Sequence, residues 1–187
     1  MSTWMIVEDE PDIYALLLAR FDVWGIEGIA FVDGEEAFRW MTDVENGMHL
    51  KEAPELALVD IRLPGDISGP EVGARLRQHR KMGDPVIVLI TAYRLSKADE
   101  EAVRREAGAD LLFYKPLPDL GDLRAMLDAA IVRRREARQA ARIAVGEPMS
   151  APMGEQDGKA PGLFSGPALS KLGSEASVDP IDRKQDE

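Results

Sequence analysis

Residues 3 to about 142 alternate short apolar runs with longer amphipathic stretches, and the alternation repeats five times. Trp4 to Val7 is the first run, of a length that suits a buried strand. Pro11 then stands where a first helical residue does. Ile13, Leu16, Leu17 and Phe21 follow at helical spacing, and Gly25 closes the helix. Ile26 to Val32 predicts a second strand, and a helix from about Glu35 turns Ala37, Phe38 and Met41 inward. Leu56 to Val59 predicts a third strand that runs into Asp60. Pro70 opens a third helix carrying Val72, Leu76 and the basic residues Arg75, Arg77 and Arg80. Val86 to Ile90, introduced by Pro85, is the strongest strand signal in the chain. Ser96 with Asp99 predicts a capped start to a fourth helix that ends at Gly108, and Leu111 to Tyr114 predicts strand five. A last helix spans about Asp119 to Arg142, with Leu120, Leu123, Leu127 and Ile131 on its inner face.

Apolar strands that each feed a helix imply a parallel sheet covered on both faces. Right-handed crossovers make this a doubly wound α/β sandwich. In such sheets ligands bind beyond the carboxyl ends of the strands. Those ends carry Glu8, Asp9 and Glu10 after strand one, Asp60 after strand three, Thr91 after strand four, and Lys115 then Pro116 after strand five. Carboxylates gathered at one point repel unless a cation joins them, and an oxygen-only ligand set suits Mg²⁺. A carboxylate beside such an ion can attack a phosphoryl group. An ammonium and a hydroxyl then neutralise and hydrogen-bond the transferring oxygens. Each residue also has a plainer reading: an acidic turn at a helix N-terminus, a satisfied strand-end hydroxyl, a surface lysine. Asp60 resists it most, because a charge ending a buried strand needs a partner or a function.

Composition and charge narrow the picture. The 187 residues allow one ordinary domain with an appendage, and the net charge of −11 weighs against non-specific nucleic-acid binding by the whole chain. With no cysteine, a disulfide framework, a thiol nucleophile and thiolate metal ligands are excluded. No apolar run reaches the length of a membrane span and no signal peptide precedes the first strand, so the expected location is cytoplasmic, without membrane contact. Residues 143–187 break the alternation: rich in Gly, Pro, Ser and acids, they are expected to form a disordered low-complexity tail. Leu163, Phe164, Leu169 and Leu172 are their few apolar residues.

The segments MIVEDEPDI, LVDIRLPG, VIVLITA and AGADLLFYKP resemble, in order and spacing, the receiver domain of two-component response regulators. The resemblance covers residues 3 to about 132, within a receiver domain at 1–142 whose last helix is extended. It implies the flavodoxin-like strand order 2-1-3-4-5 and a site built for phosphoryl transfer. Asp60 matches the phosphoacceptor. Asp9 matches the direct Mg²⁺ ligand, Glu8 a ligand acting mainly through water, and Arg62 a ligand through its backbone carbonyl. Thr91 matches the hydroxyl that bonds the phosphoryl group, and Lys115 the lysine that pairs with Asp60 and then with the phosphate. The Lys115–Pro116 bond is implied to be cis. The implied function is a single-domain response regulator, of the chemotaxis-receiver type, within a phosphorelay. It accepts a phosphoryl group from a histidine kinase or phosphotransfer protein and switches binding to a downstream protein target near helix four, strand five and helix five. Such a protein is no enzyme toward other molecules; it assists its own phosphorylation and dephosphorylation.

Three departures bear on that reading. The family's aromatic three residues before the lysine is Leu112 here, with Phe113 and Tyr114 nearer. The loop IRLPGDISG after Asp60 is about one residue longer than usual. The tail has too little apolar content to build the DNA-binding domain that often follows. Two alternatives stand beside the switch. A pseudo-receiver would bind partners without carrying phosphate. A haloacid-dehalogenase-type phosphatase needs a second acid two residues after its nucleophile, where this chain has Arg62. His49 and His79 are expected on the surface, away from the strand ends, and Trp4, Trp24 and Trp40 in packing roles. Arg133, Arg134, Arg135, Arg138 and Arg142 are expected to form a solvated, projecting helix end. Docking on an acidic partner, contact with the acidic tail, or a homodimer through this helix are the functional readings kept open.

Overall fold

The computed structural model describes residues 2–144. The expected tail of 143–187 begins too early, because Ile143 and Ala144 still belong to the last helix; the rest of it, from 145, lies outside the described residues. Five parallel strands, β1 (Thr3–Val7), β2 (Glu27–Phe31), β3 (Leu56–Asp60), β4 (Val86–Thr91) and β5 (Leu111–Tyr114), lie in the order β2-β1-β3-β4-β5. The helices are α1 (Pro11–Val23), α2 (Gly34–Glu45), α3 (Gly69–Gln78), α4 (Lys97–Ala107) and α5 (Leu120–Ala144).

Alternation along each strand divides the core into two layers. Trp4, Ile6, Leu58, Val88 and Ile90 face α1 and α5, where Leu17, Phe21, Leu123, Leu127 and Ile131 meet them. Met5, Val7, Val59, Ile87 and Leu89 face the other way, against Ala37 and Met41 of α2, Val72 and Leu76 of α3 and Ala107 of α4. Full burial of such side chains contributes about 1.5–3 kcal/mol each, so both layers fix the register in which the strand ends line up. Trp4 packs edge-on against Phe21 and Trp24, and Trp40 tilts against Phe31, which are the packing roles expected of them. The helix starts follow their sequence signals. Asp33 accepts from the Glu36 N–H at 2.7 Å, Ser68 and Glu71 form a capping box, and Ser96 caps the Asp99 N–H.

Several expectations are corrected. Leu120 is 39% exposed: as the first residue of α5 it lies outside the core cluster that takes in Leu123, Leu127 and Ile131. Leu16 is likewise exposed on α1, and Leu18 packs in its stead. Arg80 lies in a separate 3₁₀ turn, Arg80–Met82, because α3 ends at Gln78. His79 is buried rather than on the surface: its Nε2 donates to the Met41 carbonyl at 2.9 Å and its Nδ1 accepts from the Lys81 N–H at 3.3 Å. His49 is exposed as expected.

The arginine end of α5 is solvated only in part. Arg134 pairs with Asp84 and, at 3.3 Å, with Asp110; Arg135 pairs with Glu55. Arg77 of α3 joins the same group, reaching Asp84 at 2.7 Å and Asp110 at 2.5 Å. These acids sit just before β3, β4 and β5, so the arginines clamp two helices to the amino edge of the sheet. Beyond Arg135 every residue of the helix is exposed to Ala144. Among the described residues no helix is long and apolar enough to cross a membrane.

Candidate metal and phosphoryl site

The opposite, carboxyl edge of the sheet gathers the predicted residues. β1 is buried end to end and delivers Glu8 into the interior at 1% exposure, while Asp9 and Glu10 turn out to solvent. β3 delivers Asp60, 5% exposed, beside it in the sheet. Glycine at position 69 is what allows α3 to start so close: a Cβ there would strike the backbone carbonyl oxygen of Asp60. The longer loop between them turns at Gly65, whose φ is +90°, and Glu35 of α2 ties it by accepting from the Asp66 N–H at 2.7 Å.

Lys115 joins the acids from β5. Its Nζ donates to Asp60 Oδ2 at 2.5 Å, to Glu10 Oε1 at 2.6 Å and to Glu8 Oε1 at 2.9 Å. The other oxygen of Asp60 accepts from the Arg62 N–H at 2.8 Å. Burial alone would lower the pKa of Lys115, but its bonds to Asp60, Glu10 and Glu8 outweigh burial and raise it, so the ammonium stays charged. Burial raises the pKa of Glu8, and the nearby negative charge of Asp60 raises it further, against the opposing pull of Lys115.

Glu8, Asp9 and Asp60 each offer an oxygen, all within 4.8 Å of one another. Glu8 Oε2 is buried with no hydrogen-bond partner. An orphaned buried carboxylate oxygen is costly unless a cation or donor completes it, and a hard divalent ion bound by oxygen does so. The donor set therefore fits Mg²⁺. Arg62 enters the site through its N–H, and its side chain lies over the Tyr93 ring, 3.8 Å from the centroid.

Thr91 is buried at the end of β4, and its Oγ1 accepts from the Tyr93 N–H at 3.1 Å. The Lys115–Pro116 peptide bond is cis. Leu112 packs into the layer that faces α2, α3 and α4. Sequence reasoning named Glu10 without giving it a role; its place beside Lys115 follows from the turn after β1, and the third acid of the run was the available signal. It missed the Glu35 tether and the Arg62–Tyr93 stack, which join residues far apart in the chain.

The comparisons with known proteins bear on the family and the fold. Over 130 residues the chain is 32% identical to the transcriptional regulatory protein PrrA of Mycobacterium bovis, covering 70% of this chain and 50% of that one. It is 34% identical over 113 residues to AruR of Pseudomonas aeruginosa, covering 60% and 43%. The chain thus spans about half the length of the curated relatives it matches. The response regulator TrrA of Thermotoga maritima, solved with Mg²⁺ and beryllofluoride, superposes with a TM-score of 0.54 at 28% identity, covering 70% of this chain and 99% of that one. The beryllofluoride-activated receiver domain of Klebsiella pneumoniae RstA gives 0.55 at 25% identity, covering 70% and 98%. The profile of the response regulator receiver domain matches residues 4–128, and the chain belongs to that family of two-component signalling domains.

Proposed function

We propose that this chain is a phosphorylation-dependent switch that takes a phosphoryl group onto Asp60 from a histidine kinase or phosphotransfer protein and answers by changing its contacts with a downstream protein. The observation that carries the reading is the Asp60 carboxylate. It is buried at a strand end, held by Lys115 at 2.5 Å, and set among acids whose buried Glu8 oxygen has no partner.

In this reading Glu8, Asp9 and Asp60, with the Arg62 carbonyl, would hold Mg²⁺. When bound, the ion offsets negative charge on the carboxylates and on the phosphoryl oxygens. An oxygen of Asp60 attacks phosphorus, the bond from phosphorus to the donor breaks, and the donor leaves with that electron pair. Lys115 keeps its proton throughout and moves from the carboxylate to a phosphoryl oxygen. The Thr91 hydroxyl donates to another. In this reading the protein assists its own phosphorylation, and its own dephosphorylation when water hydrolyses the acyl phosphate to the Asp60 carboxylate and inorganic phosphate, and it acts as no enzyme toward other molecules.

A second reading, a receiver that binds partners without carrying phosphate, draws on Leu112 at the position of the usual aromatic. Incubation with acetyl phosphate, with and without Mg²⁺, separates the two by intact mass. The switch predicts a Mg²⁺-dependent gain of one phosphoryl group. An unchanged mass under both conditions would favour the binding-only receiver.

A further inference from the structure

Leu112 leaves a question that the structure answers nearby. Its side chain packs in the core and has no polar end through which to report on the site. Tyr114 lies on the same face of β5, two residues on. It is the register partner of Thr91, whereas Leu112 pairs with Leu89, further from the strand ends. The Tyr114 hydroxyl donates to Glu100 Oε2 of α4 at 3.3 Å. The Arg94 guanidinium sits 5.0 Å from the centre of the Tyr114 ring.

Thr91 reaches the same group from the other side. Its Oγ1 accepts from the N–H of Tyr93, the residue before Arg94. Thr91, the β4–α4 loop, the Tyr114 ring and Glu100 therefore form a continuous run of contacts from the strand end to α4. Glu100 is further engaged by Arg104 at 3.6 Å, within the same helix.

We propose that Tyr114, in place of an aromatic at position 112, is the positioning residue that couples the state of Asp60 to α4, through its bond to Glu100 and its stack beneath Arg94. The proposal rests on the reading of Asp60 as phosphoacceptor. A phosphoryl group on Asp60 offers the Thr91 hydroxyl a new acceptor. Drawing Thr91 toward it withdraws Oγ1 from the Tyr93 N–H, and the loop that carries Arg94 resettles. The environment of the Tyr114 ring then changes, and with it the bond to Glu100. At 3.3 Å that bond is longer than the usual O–H···O range, so there is room for it to tighten or part. An equilibrium shifts only by contacts that differ between its two states, and the contact that differs here is at Thr91 Oγ1.

The test uses the full chain with Mg²⁺, unloaded and loaded with beryllofluoride, and reads amide hydrogen exchange over residues 97–107. Acetyl phosphate and intact mass report Asp60 in parallel for every protein. Tyr114→Phe removes only the hydroxyl, and Glu100→Ala removes its acceptor from the helix side without touching the sheet. In wild type, loading should change α4 exchange about fivefold or more, the lower end of ordinary coupling between sites, and in both variants the change should fall below about twofold. Phosphoryl uptake should persist in both. A residue with only a structural role would move exchange equally in both states and leave the difference between them intact. A wild-type loading response in both variants overturns the proposal, as does a phosphorylated wild type whose α4 exchange does not change. If Tyr114→Phe does not fold, Glu100→Ala decides. Absence of phosphoryl uptake in wild type is a separate result: it removes the proposed function and the coupling with it.

Discussion

The two edges of the sheet hold the same kinds of groups, balanced at one and with acids in excess at the other. At the amino edge, the carboxylates of Glu55, Asp84 and Asp110 meet the guanidiniums of Arg77, Arg134 and Arg135. At the carboxyl edge, Glu8, Glu10 and Asp60 share the ammonium of Lys115, and Asp9 stands beside them. The consequences run in opposite directions. Burial would raise the pKa of Asp84, but bonds and charge from Arg134 and Arg77 outweigh it and hold the group below the usual carboxylate range. Glu8, with less compensation, is pushed above that range. A matched cluster holds the fold together. An unmatched one is kept in a state that a cation can complete, which is where chemistry is expected.

The largest test of that contrast removes the best-placed cation of the matched edge. Arg77 is 15% exposed and bonds Asp84, Asp110 and the carbonyls of Gly108 and Pro85. Arg77→Ala should lower the unfolding free energy by about 3 kcal/mol, the low end for a buried pair that loses one partner, since these side chains are only partly buried but several bonds are lost at once, and a urea titration reads it. Phosphoryl uptake in the folded variant should be unchanged.

The next test adds the cation that the unmatched edge fits. Mg²⁺ at about 100 times its dissociation constant should stabilise the wild type by about 2.7 kcal/mol. Asp9→Ala should remove most of that gain, as read from thermal unfolding with and without Mg²⁺. An equal gain in the variant would take Asp9 out of the site.

Acid separates the edges further. Asp84 has a folded pKa depressed below its ordinary 3.8, so its contribution to stability is present above that value and is lost only as pH falls through the depressed one. Glu8 has a folded pKa raised above 4.5, so without metal the fold is favoured below 4.5 and that advantage is lost as pH rises through the raised value. In urea titrations across this window without Mg²⁺, Glu8→Gln should flatten the loss on the rising side. Asp84→Asn should flatten the loss on the acid side. The smallest effect belongs to Arg135→Ala. Its side chain is 66% exposed, and its pair with Glu55 should contribute less than about 1 kcal/mol.

Much of this was legible in the sequence because it is local. Apolar runs marked the strands, and each site acid, Thr91 and Lys115 follows directly on one, so topology alone brought them together. Pairings between distant residues were not legible. Arg134 reads as one of a run of surface arginines until the fold sets it against Asp84, 50 residues away. His79 reads as polar until the end of α3 carries it beneath the Met41 carbonyl. Tyr114 reads only as an aromatic displaced toward the lysine until its register with Thr91 and its reach to Glu100 are seen.

The central claim is that Asp60 is the acceptor. An aspartyl phosphate is an acyl phosphate, which borohydride reduces to the alcohol, leaving homoserine in place of aspartate. The wild type would be incubated with acetyl phosphate and Mg²⁺, reduced with borohydride, digested and mapped by mass, with Asp60→Asn treated alongside. The account predicts homoserine at position 60 in the wild type and at no position in the variant. Reduction at another carboxylate, or an identical map from the variant, would contradict it.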